Sequence, residues 1–263
     1  MNPFFFGAGQ SRLFGVYEPP CADRQGVRAA LLCYPWGAEY LYAHRAMRQL
    51  ARRLTAAGFH TLRFDYFGTG DSAGDAHDGD LTIWQANVES AMDELKDITG
   101  AGRVTLVGLR LGAALAAMVA AQRPDDVEAL VLWDPIVCGK EYLEHLEIVS
   151  KSNNRSGGSS RSLPIFQNGE CEIDGFVLTP KLISQLTALN IEKLLNSLEL
   201  SAFVLYCEPV SSSAGARERL AQRARAPVAI EHIADVEPWI ERPMDSGAIP
   251  VKALERIVEW LAM

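Results

Sequence analysis

The chain is poor in histidine, with five in 263 residues, and its five cysteines (Cys21, Cys33, Cys138, Cys171 and Cys207) are scattered and form no C-x-x-C pair. No two His, Cys or carboxylate residues have metal-ligand spacing, so no metal is expected. Scattered thiols in or beside apolar runs read as reduced and buried in a cytoplasmic protein, not as a disulfide framework. Positive charge is also short: 25 Lys and Arg stand against 33 Asp and Glu, a formal net charge of −8. That balance argues against nucleic acid and anionic membranes as partners, since both are recognised by basic patches. The N-terminal MNPFFFGAGQSRLFG lacks the basic start of a signal peptide. No long apolar run is suited to a membrane span, because the best candidate, 104–121, is broken by Gly108, Arg110 and Gly112. A dinucleotide fingerprint is missing too: Gly68-Thr69-Gly70 is followed by Ala73 where G-x-G-x-x-G needs its third glycine, and no cofactor is expected.

What is present is a regular alternation of strand and helix patterns. Hydrophobic residues make up 48% of the chain, enough for one large α/β domain. RLFGVYEP (12–19) reads as an early hairpin strand, and AALLCYP (29–35), HTLRFDYF (60–67), VTLVGL (104–109), EALVLWDPIV (128–137), SAFVLYCEP (201–209) and VAIEHIA (228–234) as further strands. Helical periodicity marks 39–58, 81–98, 111–122, 140–150, 180–191, 214–225 and 251–262, with Pro180 and Pro250 at helix starts. Such alternation implies right-handed crossovers and a mostly parallel sheet, with its ligand crevice beyond the carboxyl ends of the strands. Trp36, Asp65, Arg110, Asp134 and Glu208 stand at those ends. The alternation falters over 138–200, where a lid would be inserted, and KSNNRSGGSSRS (151–162) is polar, Gly/Ser-rich and expected to be mobile. The expected organisation is a core of 1–137 and 201–263 with 138–200 as the lid.

Residues 104–112 read VTLVGLRLG, an apolar strand leading through two spaced glycines into a small-residue helix. That is the layout of the G-x-S-x-G turn that lifts a nucleophile above a sheet. Here Arg110 stands at its centre, between Leu109 and Leu111.

Together with YPWGAEYLYAHRAMRQLARRLTAAGFHTLRFDYFGTGDSAGD and ALVLWDPIVCGKEYL, this segment resembles the α/β-hydrolase superfamily, most closely its serine aminopeptidase-like branch. Within that branch it is similar to the hydrolase-like proteins associated with bacterial exosortase systems and some natural-product gene clusters. The resemblance implies the α/β-hydrolase fold, a mostly parallel twisted sheet with helices on both faces and a small lid. It implies an oxyanion loop at Pro35, Trp36 and Gly37, an acid at Glu208 or alternatively Asp134, and a histidine within VEPWIERP (236–243). No histidine is in that stretch, and His232 falls earlier, inside an apolar strand. A guanidinium with a pKa above about 12 has no usable lone pair at neutral pH, so a serine-type mechanism at this elbow is excluded.

Arg110 would sit at a helix N-terminus, where the dipole is positive, and needs an anion to compensate it. The anion is either internal (Glu208, Asp134 or Glu39) or a ligand carboxylate or phosphate. Two functions follow. One is a divergent protein that binds or transforms a small anionic ester, thioester or acyl compound, with one of those carboxylates as base and an acyl carrier as a possible partner, accessory to polysaccharide or natural-product assembly. The other is a catalytically inactive pseudo-hydrolase that binds or scaffolds. An open crevice with Arg110 free of internal carboxylates favours the first; a closed pair favours the second. Ser72, Asp65 and Asp71 are expected to brace the GTGDS turn, Cys33 and Cys207 to be core, His44 to pack on or stand out from the first helix, and His145 to face the crevice from the lid.

Overall fold

The computed structural model describes residues 1–21, 26–153, 169–197, 199–208, 228–240 and 249–263. Its chain order is β1 (Asn2–Phe6), β2 (Leu13–Glu18), β3 (Ala29–Cys33), α1 (Ala38–Ala56), β4 (His60–Phe64), α2 (Leu81–Thr99), β5 (Val104–Leu109), α3 (Leu111–Gln122) and β6 (Val127–Trp133). Then come α4 (Gly139–Asn153), β7 (Cys171–Ile173), β8 (Phe176–Leu178), α5 (Pro180–Ala188), α6 (Glu192–Ser197), β9 (Ser201–Glu208), β10 (Val228–Ala234) and α7 (Val251–Ala262).

Eight strands form one sheet in the order β1-β2-β4-β3-β5-β6-β9-β10. Only β2 runs antiparallel to its neighbours, pairing with β1 and β4, and every other pairing is parallel. All five residues of β3 and all six of β5 are buried. Their uninterrupted apolar sequences, without alternation, fit strands covered on both faces. α1 packs on α7, and α2 on α3. α3 buries nine of its twelve residues, mostly alanines, and small side chains let it lie close to β5 and β6.

Helix boundaries follow local chemistry. Asp80 caps α2 by accepting the Thr82 and Ile83 amides, and Gly100, at φ 72°, ends it with its N–H bonded to the Lys96 carbonyl. Thr179 caps α5, with Pro180 in the first turn. Between β6 and β9 the chain leaves the large sheet and builds α4, the β7–β8 hairpin, α5 and α6. Asp80 fastens α5 to α2 through Lys181 at 2.5 Å and Gln185 at 3.4 Å.

The sequence pattern predicts one helix over 180–191. The structure has α5 there, but ends the helix at Ala188 and starts α6 at Glu192. Leu189 to Ile191 instead bond the 137–139 stretch: Gly139 N–H meets the Leu189 carbonyl and Ile191 N–H the Val137 carbonyl. The expected strand 128–137 ends at Trp133, because Asp134 takes a φ of 43°. β1 was not foreseen; its Pro3 and NPFFF pattern fit an edge strand. The expected helix 214–225 and most of the 151–162 segment lie outside the described residues.

Candidate functional site

Two neighbouring strands end in strained residues. Arg110, after β5, has φ 55° and ψ −117°, and Asp134, after β6, has φ 43°. Non-glycine residues held at such angles cost roughly 1–3 kcal/mol each and persist only where the surroundings over-determine them. Here they do. Arg110 N–H donates to the Trp133 carbonyl, and the Arg110 carbonyl accepts from Ala113 and Ile136. Asp134 N–H donates to the Leu205 carbonyl, and its Oδ2 accepts the Cys207 amide at 2.9 Å.

The glycines flanking Arg110 are required by close approach. A Cβ on Gly108 would lie 2.4 Å from the Ala113 Cα, and one on Gly112 2.3 Å from the Cys33 carbonyl oxygen. The strand thus turns into the helix with no room for a side chain at position 108 or 112. This is the physical content of the glycine spacing read from the sequence.

The apex side chain is Arg110, 2% exposed. Its Nε and Nη2 both lie 3.0 Å from Glu39 Oε1, and Nη1 is 3.4 Å from the Asp134 carbonyl oxygen. Glu39, in the first turn of α1, also accepts the Tyr142 hydroxyl on Oε2 at 3.3 Å. The guanidinium carbon lies 5.0 Å from the Trp239 ring centre and 5.7 Å from that of Tyr142. A cation at the positive end of α3 is therefore neutralised by one carboxylate and faced by two aromatic rings. Burial works against its charge, but Glu39, then Tyr142 and Asp134, hold its pKa above the usual arginine value. Burial raises the Glu39 pKa, against the lowering pull of Arg110 and the Tyr142 hydroxyl.

Of the three carboxylates named from sequence, Glu39 is the partner of Arg110. Asp134 reaches it through its backbone carbonyl, while its carboxylate accepts the Cys207 amide near the end of β9. Arg110 pairs with Glu39, one of the three carboxylates the sequence offered. Glu39 stands two residues past the Pro35-Trp36-Gly37 loop and is aimed back over the elbow by the helix it opens, whereas Glu208 closes β9, with a side chain outside the described set. Within that loop Trp36 is buried against Trp84 and Phe176, with ring centres 6.0 and 5.9 Å away. Leu109 and Leu111, on either side of the apex, are fully buried core residues. The space beside Arg110, lined by Ile136, Val137, Cys138, Glu141, Tyr142 and His145, amounts to about 10 Å³, at the limit for a single water. His145 is thus brought to the elbow, where burial and then Arg110 lower its pKa.

Trp239 had no advance signal beyond its place in 236–243, where a histidine was sought; it lies 5.0 Å over the arginine at the elbow. Burial pushes the Cys33 and Cys207 thiols far above their ordinary range, so neither is a ready nucleophile. Ser72 is tied into its turn, accepting Phe14 N–H at 2.8 Å and donating to the Asp65 carbonyl at 2.6 Å. His44 lies on α1, its ring stacked on Tyr34 with centres 5.9 Å apart. Among the described residues, no group of three or more His, Cys, Asp or Glu is arranged to hold a metal ion, and no helix is long and apolar enough to cross a membrane.

An eight-stranded, mostly parallel sheet with helices on both faces and a strained glycine-flanked strand-to-helix turn defines an α/β-hydrolase, and this chain has that fold. Residues 42–163 match the family model described as serine aminopeptidase, S33. A 74-residue stretch, 28% of this chain, is 39% identical to the human mitochondrial palmitoyl-protein thioesterase ABHD10, and spans 23% of that relative's length. Est1E from Butyrivibrio proteoclasticus, solved with ferulic acid bound, superposes with a TM-score of 0.74 at 16% identity, over 98% of this chain and 97% of its own. Mouse ABHD10 superposes with a TM-score of 0.64 at 15% identity, over 99% and 98%.

Proposed function

We propose that this protein is an α/β-hydrolase without the serine nucleophile and triad histidine, and that it works as a binding or scaffold protein. One observation carries the reading: the side chain at the elbow apex is a buried guanidinium already neutralised by Glu39 at 3.0 Å. A nucleophile must be exposed at the top of the sheet and have a base in reach. Arg110 is neither exposed nor deprotonable, and the Trp239 ring covers its guanidinium at 5.0 Å. The closed internal pair favours this reading over an open anion pocket at the elbow. A place beside polysaccharide or natural-product assembly, in the cytoplasm, fits the resemblance of the sequence to hydrolase-like proteins of such systems.

A second reading has support of its own. The 74-residue match to a palmitoyl-protein thioesterase favours an acyl thioester as ligand, held under the 138–200 segment acting as a lid. In that reading Arg110 braces the floor of the acyl site and does not contact the carboxyl group.

Turnover of p-nitrophenyl butyrate and of palmitoyl thioester tests the proposal. The wild-type protein is expected at the uncatalysed rate with both. Arg110→Ser alone is expected to gain nothing, because it leaves Glu39 buried without its counter-charge and builds no complete triad around the new hydroxyl, although His145 lines the same space. Wild-type turnover well above background, abolished by substitution of a residue at this elbow, would contradict the proposal.

A further inference from the structure

A second pocket of about 220 Å³ opens on the other side of the first turn of α1. Consecutive residues of that turn divide the two places: Glu39 reaches Arg110, and Tyr40 donates its hydroxyl to Asp65 Oδ1 at 2.8 Å. The wall is apolar and aromatic, made by Phe14, Val16, Tyr34 and Phe64. Arg63, from β4, lines the pocket and is 6% exposed.

Arg63 is poorly satisfied for a buried cation. Its Nε lies 3.4 Å from Glu18, its Nη1 3.4 Å from the Tyr34 hydroxyl, and its Nη2 3.5 Å from the Met1 sulfur. Charge-assisted bonds of a guanidinium run nearer about 2.7–2.9 Å, and a thioether is a weak acceptor. Among the described residues, Nη2 has no oxygen partner. Arg48 and His44 stand at the rim. Glu18 is paired with Arg63 through Nε alone, and the acidic groups that line the pocket are Asp65 and Asp71. Asp65 is already engaged on both oxygens, by Tyr40 and by the Asp71 amide at 3.0 Å. Asp71 is exposed at the mouth.

We propose that this pocket is a binding site for a small carboxylate with an apolar or aromatic body, seated with its oxygens on the Arg63 fork and Arg48 and its body against Phe14, Phe64 and Tyr34. The cavity holds a molecule of benzoate size. The carboxylate would complete the half-made bonds of a guanidinium whose planar geometry matches two oxygens, and the aromatic wall would take the rest. This site is independent of the elbow.

Benzoate is the probe, titrated calorimetrically into the whole protein near neutral pH. Saturable binding is expected in the wild type. Arg48→Gln, a rim change, is expected to weaken it several-fold. Arg63→Lys, which keeps the charge and loses the fork, is expected to weaken it about tenfold or more. Asp71→Asn keeps its backbone bond to Asp65 and removes a repelling charge, so binding is expected to tighten. Tyr142→Phe, at the elbow, is expected to leave it unchanged. If Arg63→Lys does not fold, Arg48→Gln and Asp71→Asn decide. No saturation up to about 10 mM benzoate, affinity indifferent to both exposed substitutions, weakening in Asp71→Asn, or loss in Tyr142→Phe would each overturn the proposal.

Discussion

At the scale of single residues, the account turns on a buried ion pair whose two members come from α1 and from the turn before α3. Removing one member of such a pair leaves an uncompensated charge and costs about 3–5 kcal/mol, whereas replacing both with apolar groups is often neutral or stabilising. Glu39→Gln should therefore destabilise the protein by about that amount. Glu39→Met with Arg110→Met should restore much of the loss. Urea denaturation of the two single variants and the double variant checks this, and a coupling energy near zero would mean that the two groups do not sense each other. The arginine at the apex was legible from GLRLG, but its partner was not. Three carboxylates were compatible with the sequence, and only the way the 35–37 loop turns α1 back over the elbow selects Glu39. Trp239 was beyond reach for the same reason: nothing in VEPWIERP distinguishes a ring lying over a distant guanidinium from one packed in the core.

At the scale of elements, local chemistry fixes where helices begin and how strands hand over to them. Gly112→Ala would drive a Cβ to 2.3 Å from the Cys33 carbonyl, where backbone would have to move. A loss of about 3 kcal/mol is expected, at the upper end for overpacking, read as a fall in the denaturation midpoint at unchanged slope. Asp80 gives a pH-dependent counterpart. Burial alone would raise its pKa, but Lys181, the Ile83 amide and Gln185 outweigh it and hold the pKa below the ordinary value. Its folded pKa is thus lower than its unfolded one of about 3.9. Its contribution is present in full above that value and is lost as pH falls through the folded pKa. Asp80→Ala should cost about 1 kcal/mol or more near neutral pH, and the gap to wild type should close on acidification below about pH 3. A gap that widened with acid would contradict the assignment. Most elements were legible from periodicity and caps, since β3, β5, α2 and α3 carry strong patterns. The misses have physical causes: the strand after Val127 stops at Trp133 because Asp134 is forced to a positive φ by bonds to β9, and the 180–191 helix splits because its end bonds the 137–139 stretch. Both are tertiary effects invisible to a local pattern.

At the scale of the whole molecule, the chain has the α/β-hydrolase fold, and the proposed function concerns what that fold carries at its elbow. The elbow is strained and set between two glycines, its apex holds a buried cation, and the Trp239 ring lies over that cation. The proposed function separates two properties: the shape of the elbow and the chemistry at its tip. Labelling with a fluorophosphonate, followed by peptide mapping, tests that separation most directly. The account predicts no covalent adduct on the folded wild-type protein. A stoichiometric adduct on a serine at the carboxyl ends of the sheet strands, blocked by prior unfolding, would contradict it.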